Sequence, residues 1–291
     1  MELKELQPQL FPTFQQILSE GRMSHAYLFS GDFASFEMAI YLAQSRFCEE
    51  QSEGQPCGQC RSCRLIAEQE FADVQVVEPQ GTIIKTETIR ELTRDFSRSG
   101  YEGNAQVFII REAHKMHTNA ANSLLKFMEE PQSEVYLILL TSDETKVLPT
   151  IKSRCQVFHF PKNRDFLVQY LQGQGALKTQ AMILAELATS PESADQLFKD
   201  QKVQDLIGVG QTFVQVLLKS KEQAYLEVAR LANQANEKKD QDRLFQILTI
   251  QLSNIESPTL KTTLLSQLHE ARLMWQANVS FQNAMEYMVL K

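Results

Sequence analysis

The chain has 291 residues, 43% hydrophobic and 22% charged, a balance that excludes wholesale disorder and a fibrous repeat. Its net charge of −7, from 29 basic and 36 acidic residues, excludes a whole-chain basic footprint for nucleic acid. No apolar run approaches the roughly 20 residues that a membrane-spanning helix needs.

The N-terminus, Met1-Glu2-Leu3-Lys4-Glu5, lacks the basic-then-apolar order of a signal peptide, so a cytoplasmic protein is expected. Length alone predicts about two domains. Residues 26–30 (AYLFS) predict the first strand, short and apolar like a strand buried on both faces. It runs into Gly31-Asp32-Phe33-Ala34-Ser35-Phe36-Glu37-Met38 and then a helix over 36–48. A nucleotide-binding strand–loop–helix would place GxxxxGK[ST] here, for clustered N–H groups, a lysine charge and a magnesium hydroxyl. Gly31 keeps the first glycine, but Phe36 replaces the second, Glu37 the lysine and Met38 the Ser/Thr. Asp32 and Glu37 add carboxylates that would repel a triphosphate.

The helix leads into Cys48, Cys57, Cys60 and Cys63, spaced Cys-x8-Cys-x2-Cys-x2-Cys after the polar turn 51–56. In a reducing compartment such a cluster points to metal, not disulfides. Four thiolates suit tetrahedral zinc in a closed, structural site. An iron–sulfur cluster, a redox pair in one Cys-x2-Cys and four ordinary thiols remain alternatives.

Further strands are predicted at 74–78 (VQVVE), 106–111 (QVFIIR), 135–141 (VYLILLT) and 156–160 (QVFHF), with helices over 86–98 and 119–130 between them. The second helix stops at Pro131. Strand–helix alternation predicts a mostly parallel sheet covered on both faces. The third strand should end in an acid that holds magnesium, but that position is Arg111, and the neighbouring Glu112 has no metal or phosphate to serve. His114 and His117 lack an HExxH context and read as helix-surface or cap residues. Adjacent helical residues diverge by about 100°, so Glu129 and Glu130 read as solvated helix-end residues, not paired acids. Leu124, Leu125, Phe127 and Met128 read as core, and the isolated Cys155 as a buried small hydrophobe. After Pro161 only helices are predicted: 164–172, 178–189, 193–199, 203–220, 222–235, 241–255 and 258–276, with 236–240 a polar connector and Trp275, in the last long helix, packing in the larger helical bundle.

HAYLFSG at 25–31, the cysteine module, NSLLKFMEEP at 122–131 and SRC at 153–155 together resemble the bacterial DNA polymerase III clamp-loader subunits. The lost phosphate loop is similar to that of the stationary, non-hydrolysing member, not to the motor subunits. The resemblance is close over residues 1–160; the helical remainder matches in class and length. It implies an α/β then all-α chain: a degenerate AAA+ module with a zinc insertion (1–161, insertion 48–63), a small helical lid (162–202) and a helical collar that oligomerises (203–291). It implies no ATP and no intrinsic activity in this subunit, although the holoenzyme is a DNA-directed DNA polymerase, a nucleotidyltransferase. It also implies a hetero-pentameric ring with motor subunits and delta, acting on a sliding clamp and primed DNA. Arg154 takes the place of the arginine offered in trans to a neighbour's ATP. A permanently charged, forked guanidinium suits that task. Thr141 and Ser142 take the γ-phosphate-sensor position, with a structural use only. The rival readings are an active AAA+ ATPase of the same loader and a zinc-dependent nucleic-acid-binding module. The missing lysine at 37 and acid at 111 oppose the first. The net charge opposes the second, with only Arg61 and Arg64 within or beside the closely spaced cysteines.

Overall fold

The computed structural model describes residues 2–95, 105–129 and 134–291, without the side chains of 93–95 and 127. Two compact units emerge, Met1–Asn163 and Arg164–Lys291. In the first, α1 (Leu3–Leu6) and α2 (Leu10–Ser19) lead into β1 (Ala26–Ser30), α3 (Ser35–Phe47) and α4 (Arg61–Ala67). Next come β2 (Val74–Val77), α5 (Thr86–Asp95), β3 (Ala105–Ile110), α6 (Thr118–Glu129), β4 (Glu134–Thr141), α7 (Pro149–Lys152) and β5 (Gln156–His159).

The described strands form one sheet in the order β2-β3-β4-β1-β5, with every neighbouring pair parallel. Parallel neighbours need crossovers, and the intervening helices provide them on both faces. Side-chain alternation divides the core accordingly. Leu28, Phe108, Ile110, Leu137 and Leu139 face α5 and α6, meeting Ile89, Leu92, Ala121 and Leu124. Tyr27, Phe29, Val107, Ile109 and Ile138 face the other way, onto Phe14, Met38, Leu42 and Ile66 of α2, α3 and α4.

Two expectations change. β5 is an edge strand with mostly exposed residues, because β1 alone covers it. Cys155, just before it, is half-buried against the core; burial still pushes its thiol up to about 12. Met128 and Leu124 are buried as expected, and Leu125 packs against them. The last residues of the helix expected over 86–98, the Phe127 side chain, Glu130 and the Pro131 stop lie outside the described residues.

In the second unit, α8 (Arg164–Gly173), α9 (Lys178–Leu187) and α10 (Pro191–Lys199) pack on one another. α11 (Gln201–Leu217), α12 (Lys221–Gln234), α13 (Lys238–Ser253), α14 (Pro258–Gln276) and α15 (Phe281–Leu290) follow. α11 lies on α12 and α13, while α15 lies on α12 and α14. α9 also packs on α13, so segments 162–202 and 203–291 meet within this unit. Side chains of Ser190, Asp200, Ser220 and Ser280 cap the starts of α10, α11, α12 and α15, satisfying N–H groups that the helix leaves unpaired. α13 begins inside the segment expected as connector. Trp275 donates from Nε1 to Gln241 Oε1 at 2.8 Å and packs 5.5 Å from the Phe245 ring.

Candidate functional site

The loop between β1 and α3 is held by close backbone packing and by hydrogen bonds. Gly31 has φ +111°, and a Cβ there would meet the Phe160 carbonyl oxygen at 2.2 Å. Close backbone approach therefore requires this glycine whether or not a phosphate binds. Gly31 N–H donates to the Thr141 carbonyl at 2.8 Å, and the 2% exposed Gln7 donates from Nε2 to the carbonyls of Phe33 (2.7 Å) and Pro161 (2.9 Å). Met38 is 0% exposed, inside the core beneath the sheet. Phe36 lies under the Arg111 guanidinium, 4.7 Å from ring centroid to Cζ, a cation–π distance. Arg111 also pairs with Glu78 at 2.5 Å. Glu112 turns away to pair with Lys115 at 2.6 Å. The residues standing at the second-glycine and magnesium-acid positions thus satisfy each other. Thr141, 1% exposed, is likewise engaged: its hydroxyl accepts from the Asp143 N–H at 3.1 Å and lies 3.1 Å from His114 Nδ1. His117 acts at a cap, its Nδ1 accepting from the Asn119 N–H at 3.4 Å.

The four cysteines converge. α3 ends at Phe47, so Cys48 stands in extended conformation just beyond it. Cys60 is the N-cap of α4 and Cys63 lies in that helix's first turn. Gly58, at φ +72°, helps turn the chain between Cys57 and Cys60. All four Sγ atoms lie within 4.8 Å of one another. A tetrahedron of thiolates about 2.3 Å from zinc has sulfur–sulfur edges of about 3.8 Å; the Cys48–Cys60 pair is at 3.9 Å. The set fits a metal with little rearrangement. Backbone N–H groups already point at the sulfurs: Cys57 to Cys48 (3.2 Å), Cys60 to Cys57 (3.2 Å), Gln59 to Cys57 (3.4 Å) and Cys63 to Cys60 (3.5 Å). The Cys63 and Glu49 N–H groups lower the Cys60 thiol to about 7, whereas burial raises Cys48 and Cys63. The turn is fastened to the sheet's helices by Gln55 Oε1, which accepts from Gln15 Nε2 (2.7 Å) and Tyr41 Oη (3.2 Å).

Arg154 follows α7 at the approach to β5. Its Nη1 donates to the Thr150 carbonyl at 3.0 Å and to Ser153 Oγ at 3.4 Å, while Nη2 pairs with Glu129 at the end of α6. Glu129 is therefore paired, not merely solvated as a helix end; no local sequence pattern signals a partner brought in by the sheet.

A five-stranded parallel sheet in this order, flanked by helices on both faces and continued by a helical unit, defines a AAA+ module. The fold is shared over 96% of the chain, with a TM-score of 0.51 at 19% identity, by a DNA polymerase III gamma subunit-related protein of Thermotoga maritima, 97% of which is covered. The family model described as DNA polymerase III, delta subunit matches residues 6–164, and the chain belongs to that family. The DNA polymerase III subunit delta' of Bacillus subtilis is 35% identical over 69% of the chain and 62% of its own length. The tau subunit of Salmonella typhimurium is 37% identical over 49% of the chain and 22% of its own length. The chain thus aligns with under two thirds of either relative.

Proposed function

We propose that this chain is the stationary, non-hydrolysing member of a clamp loader, binding no ATP itself and serving a neighbour's ATP through Arg154. The observation that carries the reading is the mutual satisfaction of Phe36 and Arg111 beside a fully buried Met38. A magnesium hydroxyl cannot be supplied from inside the core, and a cation paired with Glu78 cannot act as a magnesium ligand. With its own loop so occupied, the half-exposed Arg154 can serve a phosphate outside this chain. In this reading the partners are motor subunits and delta in a hetero-pentameric ring in the cytoplasm, and the ring places a sliding clamp on primed DNA. Residues 1–161 form the AAA+ module, 162–202 a lid and 203–291 the collar. Cys48, Cys57, Cys60 and Cys63 hold zinc; a closed four-thiolate site supplies structural cross-linking and no open coordination position. The test has two arms. Calorimetric titration of the isolated chain with ATP and magnesium should show no binding; micromolar, magnesium-dependent binding would return it to the ATPase reading. In the reconstituted loader with clamp and primed DNA, Arg154→Ala should lower ATP hydrolysis while leaving assembly intact. The loss should fall well short of the roughly 10³–10⁵ that a trans arginine contributes at one site, because the other sites of the ring keep theirs. Arg154→Lys should restore little, since an ammonium lacks the planar fork.

A further inference from the structure

The guanidinium of Arg154 is gripped at both ends, and the two grips differ in kind. On the Nη1 side the acceptors are neutral: the Thr150 carbonyl at 3.0 Å and Ser153 Oγ at 3.4 Å. On the Nη2 side the acceptor is the Glu129 carboxylate. Neutral acceptors orient a cation without contesting its charge. A carboxylate, like a phosphate, is an anion with two oxygens that a guanidinium fork can hold, and a phosphate is what Arg154 is proposed to meet. A γ-phosphate arriving at Nη2 would displace Glu129 or lie against it as a like charge. The pair is partly solvated, with side chains 38% and 52% exposed, so it opens readily.

We propose that Glu129 is an intramolecular mask on Arg154, standing in for the nucleotide phosphate until a neighbour's ATP displaces it. This rests on the trans-arginine reading above and adds its regulation. Thr150 and Ser153 keep the guanidinium aimed while Glu129 lets go, so the exchange is a change of partner at one nitrogen. A binding-competent state that is only partly populated lowers apparent affinity by its population. An exposed ion pair of ordinary strength populates the masked form up to about fivefold over the open one. The mask therefore raises the ATP concentration at which the ring responds and discourages Arg154 from engaging other anions before assembly.

The experiment uses the complete reconstituted loader with clamp and primed DNA, reading steady-state hydrolysis against ATP concentration. Glu129→Gln keeps the size and one accepting oxygen and removes the charge. It should lower half-saturating ATP by about two- to fivefold, a shift larger than any change in the saturated rate. Glu129→Asp, which keeps the charge, should lie nearer the wild type. Combining Glu129→Gln with Arg154→Ala should give the half-saturation of Arg154→Ala alone, because the mask then has nothing to cover. If Arg154→Ala lowers hydrolysis but Glu129→Gln leaves half-saturation unchanged or raises it, the mask is refuted and the trans arginine stands. If Arg154→Ala itself leaves hydrolysis unchanged in an assembled ring, both fall.

Discussion

Met38 shows why the phosphate loop cannot be restored one residue at a time. Its side chain is 0% exposed among Phe14, Phe29 and Leu42, where a hydroxyl would replace a thioether in the core. Deleting a buried side chain of this size costs about 2–5 kcal/mol through lost transfer energy and the cavity left behind, and an unsatisfied hydroxyl adds to it. Met38→Ser should lower unfolding free energy by that amount in a denaturant titration, and it should not create ATP binding. Unchanged stability would show that the helix start can rotate the position out of the core. The contrast with Gly31 is instructive. That residue looks like a surviving phosphate-loop glycine, yet the Phe160 carbonyl beside its absent side chain requires it on packing grounds. The substitutions at 36, 37, 38 and 111 were legible in the sequence because a strand–loop–helix fixes which positions would carry the chemistry. The partnerships were not. Phe36 with Arg111, Gln7 with Phe33 and Pro161, and Arg154 with Glu129 join segments remote in sequence, and only the strand order brings them together.

Among the elements, the cysteine insertion was legible in composition and spacing but not in mechanics. The sequence reading named the ligand set; it did not name α4, a seven-residue helix that begins at Cys60 and places Cys63. Such a helix is too short for periodicity to reveal, and its N-cap is a cysteine instead of the usual Ser or Asp. α14, by contrast, begins and ends at its expected residues, with Pro258 marking its first turn. Thiols must lose their protons to bind metal, and burial raises the Cys48 and Cys63 thiols above their ordinary value. Metal uptake therefore releases protons, and affinity should fall as pH falls. We expect about one zinc per chain by elemental analysis near pH 8. A competing chelator should extract it on the order of a hundred times more readily per pH unit lowered, since at least two protons are exchanged. Cys60→Ser should reduce bound metal and loosen residues 48–63 while the sheet remains folded, which circular dichroism would report. A metal content independent of both pH and Cys60 would rule out the four-thiolate site.

At the scale of the whole molecule, an α/β half is followed by an all-helical half, and the compact units divide at Asn163. Strand–helix alternation ends there, so the boundary follows from periodicity alone. Several apolar side chains of the helical unit stand in solvent, some of them on two helices that pack against each other. α12 buries Ala224, Val228 and Leu231 but leaves Tyr225 38% and Leu226 74% exposed. α15 buries Phe281, Met285, Met288 and Val289 but leaves Tyr287 41% and Leu290 71% exposed. A single exposed leucine is ordinary. A tyrosine and a leucine left out on each of two touching helices, in the segment proposed as the collar, are what a subunit contact would need, since buried tyrosines are frequent anchors of such contacts. Leu226→Glu and Leu290→Glu test this directly. Both positions are solvated, so each change should shift chain stability by no more than about 0.5 kcal/mol. Burying the new carboxylate at an interface without a partner should weaken ring assembly by tenfold or more, at a cost of several kcal/mol. Co-elution of the variants with motor subunits and delta at graded concentrations measures the effect, with a thermal melt of each isolated chain as the folding control. Full-affinity assembly by both folded variants would remove these faces of α12 and α15 from the collar contact.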